Sequence, residues 1–144
     1  MPIYVDTSAL GKRYVAELGS SEFDDFILAH DDVFVICPLG AMELESMLQR
    51  LQRQRLIDTA FADQARRDFA SDLAAAVWSM HGFDGACFAR GSELLRTLSS
   101  PLATLDALHL ACAIETRCDA FATGDRQLAR AATESGLTVH PFIL

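Results

Sequence analysis

The chain has 144 residues, enough for one domain with a proper hydrophobic core. Its 12 Lys and Arg against 20 Asp and Glu give a formal net charge of −8, which argues against general adhesion to nucleic acid or to an anionic membrane. A hydrophobic fraction of 51% and a mean hydropathy of +0.18 are high for a lone soluble chain and point to apolar surface covered by another chain.

Cys37, Cys87, Cys112 and Cys118 lack C-x-x-C spacing and a paired histidine pattern, so they read as core thiols in a reducing compartment, not as a zinc site or a disulfide framework. There is no charged-then-apolar leader and no run of 18 apolar residues, and the expected location is the cytoplasm.

Taken in order, residues 2–5 are an apolar run too short for a helix, read as a central strand that ends at Asp6. A helix is predicted over 8–18, capped by Thr7 or Ser8 and stopped by Gly19, with a second over 21–30. Residues 33–37, continuously apolar and β-branched, suit a buried parallel strand. After Pro38 a long helix is predicted to about residue 56, carrying Glu43 near its start, and another over 59–76 returns beside it as an antiparallel hairpin. This pair holds Arg50, Arg53, Arg55, Arg66 and Arg67, either a local phosphate track or a solvated face balanced by Asp58, Asp63, Asp68 and Asp72. Residues 77–81 are a short strand or the end of that helix. A helix follows over 84–98. Ser99, Ser100 and Pro101 break it, and Thr104 is the expected N-cap of a helix that carries Asp106 and ends near 118. A brief strand over 120–122, a turn over 123–125, a helix over 127–135 with Gly136 as C-cap, and a strand over 137–139 complete the chain.

Strands alternating with helices indicate an α/β fold with a mainly parallel sheet, helices on both faces, and ligands at the carboxyl ends of the strands. Four acids map to that end: Asp6, Glu43, Asp106 and Asp125. Each alone is also what a helix start looks like. If they converge, two unit charges 4 Å apart repel by about 4 kcal/mol at an effective dielectric near 20, so protons or a hard cation must relieve them. Oxygen-only ligands select Mg²⁺ or Mn²⁺ over zinc, and a carboxylate-held cation with open positions suits phosphodiester hydrolysis. Other carboxylate-led sites fit less well. Asp6 is followed by Thr7 and Ser8 where a haloacid-dehalogenase phosphatase wants a second acid, and Leu10 ends a D-x-S-x-S run one residue short. Nucleotide-cradling glycine loops and nucleophile-elbow motifs are absent.

DTSAL from Asp6, PLGAMELESML around Glu43, LDALHLACA around Asp106 and TGDRQLARAA around Asp125 together resemble the successive signatures of PIN-domain nucleases, specifically the VapC toxins of type II toxin-antitoxin pairs. The resemblance spans essentially the whole chain, a single domain over 1–144. It implies a PIN-like three-layer α/β/α fold and a Mg²⁺- or Mn²⁺-dependent endoribonuclease. Asp6, Glu43, Asp106 and Asp125 would be the catalytic, metal-binding acids, with Thr7, Ser8 and Thr123 supporting them. It further implies an RNA substrate, a homodimer, and a cognate antitoxin whose tail brings an Arg toward the acids. Pro38 stands where many relatives carry Ser or Thr. Lys12, Arg13, Arg126 and Arg130 are candidates for steering phosphate, with surface charge as the competing reading of each. Glu45 points to another helix face, as a solvent-exposed or salt-bridged residue. His109, almost a turn beyond Asp106, is expected to be a packed helix residue. The alternatives are a PIN nuclease for RNA processing or DNA without an antitoxin, and an inactive module whose acids bind a partner's Arg.

Overall fold

The structure, a computed structural model, describes residues 1–143. The short apolar runs become strands β1 (Ile3–Val5), β2 (Phe34–Ile36), β3 (Ser79–Met80), β4 (Ala120–Thr123) and β5 (Thr138–Pro141). They form one 5-stranded sheet in the order β3-β2-β1-β4-β5. Every neighbouring pair is parallel, so all carboxyl ends lie along one edge. In the central register, Tyr4 stands between Val35 and Phe121, and Val5 is level with Ala122.

Side chains alternate faces along a strand, and the two cores follow that period. Ile3, Val5, Phe34, Ile36, Ala120 and Ala122 point to one face. That face is covered by α1 (Thr7–Tyr14), α2 (Ser20–Ala29), α3 (Pro38–Arg53) and α4 (Thr59–Ala74), through residues such as Leu10, Phe23, Leu44 and Ala65. Tyr4, Val35, Cys37 and Phe121 point the other way, beneath α5 (Gly85–Thr97), α6 (Thr104–Glu115) and α7 (Arg126–Glu134), whose Leu94, Leu110 and Leu128 close the second core. Strands buried on both faces are why these runs carry almost no polar residue. The expected three-layer architecture is therefore present, and the four cysteines are free and buried. Among the described residues no helix is long and apolar enough to cross a membrane.

Several element ends depart from the sequence expectation. Helix α1 stops at Tyr14 rather than near residue 18, because Val15 turns extended and Lys12 Nζ donates to the Leu18 carbonyl across the turn (2.7 Å). Gly19, at φ +89°, stands at the N-cap of α2 instead of ending α1. The cap of α1 is Asp6 itself, whose carboxylate accepts from Ala9 N–H; Thr7 and Ser8 lie inside the helix. Ala103 occupies the cap position of α6, and Thr104 is its first residue. Residues 79–80, left open between strand and helix, form an edge strand parallel to β2.

Candidate active site

Asp6 leaves the carboxyl end of β1 and is only 3% exposed. Its Oδ1 accepts from Ala9 N–H (3.0 Å) and its Oδ2 from the Thr123 hydroxyl (2.7 Å), while the Ser8 hydroxyl reaches both oxygens at 2.7 and 2.9 Å. A single hydroxyl proton serves one oxygen at a time. Three donors therefore meet about four lone-pair sites, and Asp6 keeps roughly one for another ligand. The same hydroxyls tie Asp6 to the loop after β4, since Gly124 N–H donates to Ser8 Oγ (2.7 Å) and Asp125 N–H donates to Thr123 Oγ1 (3.0 Å). Burial raises the Asp6 pKa, against the pull of Thr123, His109, Ala9 and Ser8.

Glu43 lies in the second turn of α3, which Pro38 opens at its first residue. Its Oε1 accepts from the Thr7 hydroxyl (2.8 Å) and sits 2.5 Å from Nε2 of His109. Thr7 thus supports Glu43, whereas Ser8 and Thr123 support Asp6. Burial works against the Glu43 charge, but the hydrogen bond and charge of His109 and the bond from Thr7 outweigh it and lower the pKa. His109 itself is 2% exposed. Burial pulls its pKa down, and the contacts with Cys37 and Glu43 and the charge of Asp6 overcome that, holding it at about 10. The only hint of this in sequence was one imidazole in the otherwise apolar run LDALHLACA.

Asp106 occupies the first turn of α6, as expected. Its carboxylate has no hydrogen bond or ion pair within the described residues and is partly buried. Burial raises its pKa to about 6, and repulsion from Asp125, Asp6 and Glu43 adds to the shift while His109 opposes it. Asp125 caps α7, its Oδ1 accepting from Leu128 N–H (3.0 Å). The four acids thus feel one another along one edge of the sheet, although no group of three or more His, Cys, Asp or Glu side chains among the described residues is drawn together as a metal-ligand cluster.

The basic candidates are placed differently. Lys12 turns its ammonium to Leu18 O and to Glu17 (3.4 Å). Arg13 is committed to packing α1 on α4: its Nε donates to Asp72 (2.7 Å), its guanidinium lies 5.9 Å from the Trp78 ring centre, and Asp24 is 3.7 Å away. Arg126 and Arg130 are exposed on α7 and line a surface hollow with Glu134 and Val139. In the arginine-rich hairpin, Arg66 pairs with Glu45 and Asp63, both at 2.8 Å, which makes Glu45 the salt-bridge partner that its helix position suggested. Beside Glu43 opens a cavity of about 500 Å³, lined by Thr7, Ser8, Met42, Met47, Arg50 and Leu105.

The family model described as the PIN domain matches residues 3–134. Among solved structures, the fold is similar to VapC20 of Mycobacterium tuberculosis, a sarcin-ricin loop cleaving toxin, with a TM-score of 0.69 at 16% identity over 90% of this chain and 94% of that one. It is likewise similar to VapBC2 from Rickettsia felis, bound to a DNA fragment from their promoter, with a TM-score of 0.69 at 15% identity over 98% of both chains. A third relative is FitAcB from Neisseria gonorrhoeae, with a TM-score of 0.68 at 14% identity over 95% of both chains. No curated protein matches the sequence significantly. At such identities the likeness to solved structures is one of fold, and together with the family match it means that this chain belongs to the PIN-domain family, with the fold of the VapC toxins.

Proposed function

We propose that this protein is a Mg²⁺- or Mn²⁺-dependent endoribonuclease, the toxin of a toxin-antitoxin pair, cutting RNA phosphodiesters at the edge that carries Asp6, Glu43, Asp106 and Asp125. The observation that carries this reading is Asp106: a partly buried carboxylate without a protein partner among the described residues, raised toward neutrality by burial and by three other acids. A folding role would have supplied it with a donor, as it did for Asp6.

The donor set suits a hard divalent cation. All four groups are carboxylates, and the oxygens still without a protein hydrogen bond among the described residues include Oε2 of Glu43 and both oxygens of Asp106, with Oδ1 of Asp125 used by the helix cap. Asp106, Glu43 and Asp125 would hold the ion, and Asp6 would add its remaining lone pair. A bound ion of this kind supplies a more acidic water and charge neutralisation on the phosphate. The chain's own part is to position. Ser8 and Thr123 fix Asp6 against the Asp125 loop, Thr7 fixes Glu43, and Asp106 is left to take up or release a proton near neutral pH. The cavity beside Glu43, whose lining includes Arg50, would give the RNA strand a place.

The antitoxin and homodimer readings draw support from the family and from exposed apolar side chains, including Leu56, Phe61, Phe88 and Leu95. A partner's Arg would neutralise the acids when no metal is bound. The test is cleavage of end-labelled single-stranded and hairpin RNAs by purified protein in Mn²⁺, Mg²⁺ or EDTA, beside Asp106→Asn. Cutting that needs metal and is lost in the variant supports the nuclease. Folded, metal-binding protein that cuts none of a broad set of transfer, ribosomal and messenger RNAs would contradict it and favour an inactive interaction module.

A further inference from the structure

We propose that His109 is a positioning residue for Glu43: it clamps Oε1 of that carboxylate and so presents Oε2 to a cation at the acidic edge. The proposal rests on the metal reading above and adds a residue that reading does not use.

The imidazole is held at both nitrogens. Nδ1 lies 2.7 Å from the Tyr4 hydroxyl, which itself lies 2.9 Å from Cys37 Sγ, and Nε2 lies 2.5 Å from Glu43 Oε1. Tyr4 is wholly buried and meets the imidazole edge-on, with ring centres 5.8 Å apart, so the ring has no freedom to turn. The direction of the Glu43 bond follows from geometry: Oε1 is a carboxylate acceptor into which the Thr7 hydroxyl already donates, so the imidazole N–H at Nε2 is the donor. If His109 is neutral, Nδ1 accepts from Tyr4 and Tyr4 accepts from the Cys37 thiol; if it is charged, every arrow on that side reverses and the Glu43 bond is unchanged.

Both donors land on Oε1, and Oε2 has no protein hydrogen bond among the described residues. Packing alone does not require this arrangement. An apolar side chain would fill the same volume, and a buried chain of four polar groups is costly unless each is satisfied. The same helix also carries Asp106 three residues earlier, so α6 delivers one acid directly and orients a second through His109. Groups that hold a metal ligand from behind in this way typically change metal affinity about 10- to 100-fold when removed.

The experiment compares wild type, His109→Leu and His109→Gln, whose amide can still donate toward Glu43. In metal-free protein, proton NMR is expected to reveal a far-downfield imidazole N–H that disappears in Glu43→Gln and in His109→Leu but persists in Asp106→Asn. In Mn²⁺ calorimetry His109→Leu is expected to bind about 10- to 100-fold more weakly, with His109→Gln recovering most of the loss at matched metal-free melting temperature. Absence of the downfield proton in wild type overturns the clamp whatever the metal does. So does equal Mn²⁺ affinity in wild type and His109→Leu, or an equal loss in both variants that tracks lost stability. A wild type that keeps the proton yet binds no Mn²⁺ overturns the metal reading, and with it the clamp's role.

Discussion

Asp106 and Asp6 are both acids at the edge of one sheet, yet their surroundings give them opposite work. Asp6 is bonded on both oxygens, whereas Asp106 has no hydrogen bond among the described residues and is repelled by Asp125, Asp6 and Glu43. A carboxyl whose pKa climbs from 3.8 to about 6 on folding binds more protons folded than unfolded in that interval. Native stability therefore falls as pH rises through it and stays lowered above. Asp106→Asn is expected to raise metal-free stability by about 1 kcal/mol at pH 8, after solvent screening at this partly exposed site, with the gain shrinking toward pH 4. Urea unfolding at both pH values measures it, and a loss of stability at pH 8 would make Asp106 a structural residue. Thr123→Val keeps the shape but removes the buried donor to Asp6 and the part-buried acceptor for Asp125 N–H, and is expected to cost about 2 kcal/mol by the same method. Asp6, Asp106 and Asp125 stood out as candidates because each ends a strand or opens a helix, and Glu43 because it lies early in the helix that follows β2. The role of His109 was not, since a lone imidazole in an apolar run reads as packing until Glu43, 66 residues away in sequence, is brought to its Nε2.

At the scale of elements, starts were easier to read than ends. Asp58, Asp84 and Asp125 cap α4, α5 and α7 through their own carboxylates, a pairing of residue type and task that sequence displays directly. Helix ends are another matter. Helix α7 closes with Gly136 at φ +90°, bonded to Thr133 O while Leu137 N–H bonds to Ala132 O, and the glycine advertises it. Helices α3, α4 and α6 close by the same pair of bonds, but with Arg55, Ala76 and Arg117 at φ near +58°. A left-handed Arg or Ala carries no sequence signal, which is why α3, α4 and α6 read as running about two or three residues too long. These positions are strained for L side chains, so Ala76→Gly is expected to stabilise the fold by about 1 kcal/mol in urea unfolding. No gain would mean that the added freedom of the unfolded chain cancels the relief.

Across the whole molecule, the parallel sheet converts separate strand ends into one edge, and that edge carries the four acids of the proposed site. The α/β class followed from alternating runs, and the strand order did not, because β1 is flanked on one side by β2 (Ile3 beside Phe34) and on the other by β4 (Ile3 beside Ala120), a long-range pairing that no local pattern encodes. In the proposed metal-dependent site, a bound cation would relieve the mutual repulsion on this edge and so stabilise the fold. Mn²⁺ at 100 times its dissociation constant is expected to add about 2.7 kcal/mol to native stability, read as a higher melting temperature in wild type and a much smaller shift in Asp106→Asn. Equal shifts in both proteins would place the ion elsewhere.

The convergence of the acids on one cation is tested most directly by an anomalous-scattering map from crystals grown in Mn²⁺. The expected result is a peak bounded by the carboxylates of Glu43, Asp106 and Asp125 and within reach of Asp6. Crystals in saturating Mn²⁺ with no peak there, and with the four acids still standing apart, would contradict the metal-dependent site on which the proposed ribonuclease depends.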